Sequence, residues 1–182
     1  MATHGQAAVA GQRRRTAGQT PQIATVRERS AAERFAHRRG IERLVGVCVL
    51  LSGGVHGLIA PEHFREWWGY GVFFAVATVA MLGLGLALLT DAIDPRYFPG
   101  DVIRFRRLLY TTGLVGVVLL VAMYVVSRTF GIPLGPGAGL VEPIGGLDIV
   151  AKVAELLAAL GLVVLIARSW DGSPRSRGHI DG

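Results

Sequence analysis

"LDIVAKVAELLAALGLVVLIAR", Leu147–Arg168, is long enough to cross a membrane, and it carries three charges. An α-helix rises about 1.5 Å per residue, so about 20 apolar residues span the roughly 30 Å of a bilayer's hydrocarbon. The second half of the stretch is unbroken apolar sequence. The first half holds Asp148, Lys152 and Glu155. Their spacings are i,i+4 and i,i+3, which put all three on one helical face. A lipid-facing charge near the bilayer centre costs on the order of 3 kcal/mol. The three charges are therefore expected to face the interior of a helical bundle. Within the helix, Asp148–Lys152 and Lys152–Glu155 can pair, leaving one formal negative charge.

Three more apolar runs precede this one. The four predicted spans are about 41–60, 69–89, 108–127 and 147–167. They predict an all-α fold, a polytopic four-transmembrane-helix bundle comprising residues 41–168. Composition agrees: 51% of the 182 residues are hydrophobic and the mean hydropathy is +0.45, with the apolar residues in blocks rather than alternations. Residues 1–40 are polar and arginine-rich and read as a disordered cytoplasmic tail, with a weak amphipathic helix over Ile23–Arg39. Residues 169–182 read as a cytoplasmic C-terminal tail. No apolar run closely follows "RRR" at 13–15, which argues against a twin-arginine signal.

The basic residues orient the spans. Of nineteen, nine lie at or before Arg43, four between spans two and three, and three from Arg168 onward. Only Arg65, Arg128 and Lys152 fall toward the other face. This bias predicts both termini in the cytoplasm of a cell-membrane, multi-pass protein. The net charge of +6 then reflects topology and contact of the N-terminal tail with anionic lipid headgroups, and no nucleic-acid partner is expected. The single cysteine, Cys48, excludes an intramolecular disulfide and a C-x-x-C redox centre.

The loops on the outer face are distinctive. In "PEHFREWWGY" (Pro61–Tyr70), Pro61 suits the first turn of a helix, and Trp67, Trp68 and Tyr70 read as an interfacial aromatic belt. "RTFGIPLGPGAGLVEPIGG" (Arg128–Gly146) is too rich in glycine and proline for regular helix. It lies on the surface or dips as a lid over the helix ends. His56 of span one sits at a depth close to that of Lys152, with Ser52 on the same face. Gly53 and Gly57 form a G-x-x-x-G pair that lets a neighbouring helix approach. Tyr124 and Arg128 end span three, where Arg128 can neutralise the surplus carboxylate. Glu62, His63 and Glu142 complete the mouth of the expected pocket. All these groups fall in the outer half, while the inner half of the spans is almost purely apolar.

Specific chemistries find little support. His56 and His63 are the metal or haem candidates, without the tight spacing of a zinc motif. No nucleotide fingerprint and no G-x-S-x-G element is present, so no catalytic residue is assigned. The expected function is an integral membrane protein whose charged pocket binds a small ligand, an ion or a partner segment. The alternatives are an oligomeric proton-linked transporter or channel, and a metal- or haem-binding enzyme or redox subunit. A homo-oligomer or larger membrane complex is compatible with any of these.

"HGLIAPEHFREWWGYGVFF" (His56–Phe74) together with "SRTFGIPLGPGAGLVEPIGGLDIVAKVAELLAAL" (Ser127–Leu160) resembles an uncharacterised group of small four-span membrane proteins from actinobacteria and related bacteria. The resemblance covers about residues 41–168. It implies the four-span fold and a bacterial origin, and nothing about mechanism.

Overall fold

The computed structural model of the chain describes residues 5–90 and 101–171, with side chains at 28–30, 32–90 and 101–170. Every described element is helical: α1 (Gly5–Glu66), α2 (Trp68–Leu89), α3 (Val102–Thr129) and α4 (Gly146–Asp171). Each contains a stretch long and apolar enough to cross a membrane: Glu28–Glu66, Trp68–Leu89, Val102–Thr129 and Gly146–Trp170. In hydrocarbon a helix satisfies its backbone internally, and short polar side chains must do the same. Thr78, Thr112 and Thr129 accordingly donate to the carbonyl four residues back, at 2.7–2.8 Å.

Residues 1–40 and 41–182 form two compact units. In the first, the helix already runs from Gly5, and Arg38 lies 5.2 Å from the centre of the Phe35 ring. Low hydrophobicity argues against burial, but the Ala, Arg and Glu of this stretch are good helix formers. The Ile23 and Val26 side chains, expected toward lipid, lie outside the described ones. So do residues 172–182 of the expected C-terminal tail.

In the second unit the helix boundaries move outward from the hydropathy limits. α1 passes through Pro61 and ends at Glu66, so Pro61 does not start a helix. The break between α1 and α2 is the single residue Trp67, whose backbone is extended (φ −165°, ψ 134°). α3 begins six residues before the apolar run, where the Asp101 carboxylate accepts from the Arg104 N–H at 3.1 Å. That is an N-cap.

The bundle is built around two facing stripes. On α4 the buried positions are Ala151, Ala154, Glu155, Ala158, Leu162 and Leu165, the spacing of a helix seam. On α1 they include Val45, Val49, Ser52 and His56. Outside these stripes large apolar side chains are exposed on every helix, among them Leu58, Val79 and Leu160. Such a surface is expected where lipid is the solvent. With no hydrophobic drive between helices in lipid, close backbone approach matters. A Cβ on Gly85 would lie 3.0 Å from the Gly46 carbonyl oxygen, one on Gly53 3.0 Å from Met81 Cβ, and one on Gly57 3.2 Å from Thr78. The G-x-x-x-G pair read from the sequence is thus an α1–α2 contact.

Candidate functional site

Glu155 is fully buried in the α4 stripe. One helical turn closer to the α3–α4 loop on the same helix, Lys152 reaches it with an Nζ–Oε2 distance of 2.5 Å. Across from it on α1, Ser52 Oγ donates to Oε1 at 2.8 Å and His56 Nε2 lies 2.9 Å from the same oxygen. An ionised carboxylate only accepts, so Nε2 carries the proton in this contact. Three donors from two helices therefore surround one buried anion, as a buried charge requires. His56 Nδ1 is also buried and has no hydrogen-bond partner.

Asp148 does not join this cluster, contrary to the pairing with Lys152 expected from spacing. Its Oδ2 accepts from Arg128 Nη2 at 2.6 Å and from the Gly145 N–H at 2.9 Å. The latter bond caps the start of α4, where a negative charge is favourable. Arg128 also donates to Glu142. A planar guanidinium presents several donors in a fork, so one arginine at the end of α3 ties the loop to the head of α4. Tyr124 lies between the cations: Arg128 Cζ is 5.1 Å and Lys152 Nζ 5.2 Å from its ring centre.

The loop after α3 folds over this end of the bundle. Gly131 and Gly135 have φ of 73° and 84°, a left-handed backbone that glycine adopts without strain. A side chain at Gly131 would strike the Gly139 backbone at 2.4 Å, and one at Gly135 would meet Tyr70 Oη at 2.9 Å. Tyr70 in turn donates to the Leu134 carbonyl. The lid-like alternative for this loop is therefore the arrangement found. Trp67 packs edge-on to Tyr70 at 5.0 Å.

Beneath the loop lies a cavity of about 190 Å³. Its charged wall contains Arg128, Glu142, Asp148, Lys152 and His56, with Tyr124 beside them. Aromatic side chains also line it: Trp67, Tyr70, Phe73 and Phe74. The structure thus gathers most of the expected pocket residues. Glu155 lies just behind the wall and holds it. Glu62 is exposed and does not line the cavity, because the helix carries it to another face. His63 lines the cavity, pairs with Glu66 at 3.0 Å and stacks on Phe74 at 4.1 Å. Among the described residues no three His, Cys, Asp or Glu side chains are gathered as for a metal.

Two features escaped the sequence reading. Trp67 and Tyr70 were expected in an interfacial belt, but they line the cavity, and only Trp68 is largely exposed (67%). Part of the signal was present: Tyr70 and Phe74 are i and i+4, one helical face, whereas Trp67 is the extended residue before α2. The other feature is Glu42, buried at the far end of the bundle, where Tyr110 donates to it. That half of the bundle is thus not purely apolar. The charge of Glu42 sits beside Arg43 at the very start of the predicted span, so hydropathy gave no reason to place it inside.

Comparisons with protein-family models, with curated proteins and with solved structures return no match for this chain.

Proposed function

We propose that this chain is a multi-pass protein of a bacterial cell membrane whose charged cavity binds a small ligand. The bacterial assignment rests on the resemblance of the His56–Phe74 and Ser127–Leu160 stretches, and the membrane assignment on four apolar helices. The observation that carries ligand binding is the cavity itself. Charge pairs that only lock helices together are best packed tight, since a void forfeits contacts. Here the ionic wall borders about 190 Å³ of space roofed by a loop. In the proposed orientation both termini are cytoplasmic, the cavity opens toward the outer face, and the arginines between 13 and 43 contact anionic headgroups.

Native mass spectrometry of protein extracted from its own membranes tests the binding. Wild type is expected to carry a small molecule that the charge-free pair Lys152→Met/Glu155→Gln loses. Retention of the same adduct by that variant refutes the cavity as its site.

Cysteine accessibility tests the orientation. With Cys48→Ala as background, Ala138→Cys in the exposed loop is expected to react with a membrane-impermeant maleimide on intact cells. Reaction only after the cytoplasmic side is opened reverses the orientation.

A further inference from the structure

A second cavity, of about 460 Å³, lies between α2 and α3. Phe73 and Leu120 belong to the walls of both cavities, so the two are direct neighbours. The second cavity is a trough floored by small residues, Ala77, Ala80 and Gly83 on α2 and Gly113 and Gly116 on α3. A Cβ on Gly83 or Gly116 would meet nothing within 4 Å. Its rim residues Val76, Val79 and Leu119 are strongly exposed. From Phe73 to Gly83 the trough follows about 15 Å of helix, room for a medium-length hydrocarbon tail.

The polar end has donors to offer. Lys152 brings three N–H bonds, and Glu155 takes one. The Nε–H of Arg128 is buried with no hydrogen-bond partner. Nδ1 of His56, in a residue 95% buried (5% exposed), is also without a partner, but with the proton on Nε2 it is an acceptor and adds no donor. The site has no positive charge to spare: Arg128 and Lys152 face Glu142, Asp148 and Glu155. An anionic head would add to that negative surplus. A cationic head would have to displace Arg128 or Lys152 from its carboxylate. A neutral acceptor takes the spare N–H bonds without altering the charge balance.

We propose that the two cavities form one site for a single-chain membrane amphiphile with a neutral, carbonyl-bearing head. The proposal rests on the reading that the charged cavity binds a ligand. The head accepts from Lys152 beside Tyr124, the tail lies in the α2–α3 trough, and entry is from the bilayer between those helices.

The test uses the full chain in phosphatidylcholine nanodiscs. The probes are a decyl-substituted benzoquinone and glycerol monolaurate, their tail-less parents, and two charged controls, laurate and dodecyltrimethylammonium. Binding of each probe, radiolabelled, is read directly by scintillation proximity on immobilised nanodiscs. Concentrations are expressed per lipid, so that partitioning cancels. At least one neutral tailed probe is expected to bind about tenfold more tightly than its parent and than the charged controls. Which of the two binds identifies a quinone or an ester as the head. Lys152→Met/Glu155→Gln weakens tailed and tail-less neutral probes alike. Gly116→Leu, which fills the trough, weakens only the tailed ones, and Gly83→Leu reports the same effect should the first variant fold poorly. Tighter binding of either charged control overturns the neutral head. Leucine variants that bind tailed probes like wild type overturn the trough while leaving the charged cavity as a binding site. If binding of no probe responds to Lys152→Met/Glu155→Gln, the proposal and the reading it rests on both fall.

Discussion

Lys152→Ala is expected to destabilise the bundle by about 3–5 kcal/mol, the cost of breaking a buried ion pair by removing one partner. The Glu155 carboxylate would keep Ser52 and His56 as donors but lose its only cation. The charge-free pair Lys152→Met/Glu155→Gln is expected to be much closer to wild type. A glutamine still accepts from Ser52 and His56, and a methionine fills the volume of the lysine stem. Replacing a buried ion pair by uncharged side chains of similar size is often nearly neutral. Thermal unfolding in detergent gives the ranking. A single Lys152→Ala variant as stable as the double variant would mean that the ammonium faces water or headgroups and contributes nothing to the interior.

Gly85→Val is expected to force α1 and α2 apart and lower the melting temperature. Its Cβ would lie 2.6 Å from Leu50 Cγ and 3.0 Å from the Gly46 carbonyl oxygen. Leu50 can turn aside, but the carbonyl belongs to the α1 backbone, so the two helices must separate. Overpacking of this kind costs about 1–3 kcal/mol or more. Separation also loosens the neighbouring close contact of Gly53 with Met81. Gly83→Val, two residues away, meets nothing within 4 Å and is expected to leave the melting temperature almost unchanged. Equal melting temperatures for the two variants would show that α1 and α2 do not approach at Gly46 and Gly85.

The four spans were legible because a membrane helix satisfies its hydrogen bonds within its own segment. Each apolar run therefore declares itself without reference to the others, and the helical period alone puts Asp148, Lys152 and Glu155 on one face. Hydropathy does not reveal where a helix stops when polar residues can continue it, which is why α1 passes through Pro61 and α3 starts at Val102. Partner choice was less legible still. Local spacing allowed Lys152 to pair with Asp148 or with Glu155, and only the position of Arg128 at the end of α3 settles it. The same holds for Glu62, which points away from the cavity, for Trp67 and Tyr70, which line it, and for Glu42 with Tyr110 at the far end. In water, hydrophobicity tells which face of a helix is inside. In lipid both faces are apolar, so the rotation of each helix is set by where backbones can touch, as at Gly46 and Gly85, and by which buried polar groups meet across the bundle. The sequence by itself determined the number, type and approximate place of the helices. The tertiary structure decided which of their polar groups share a site.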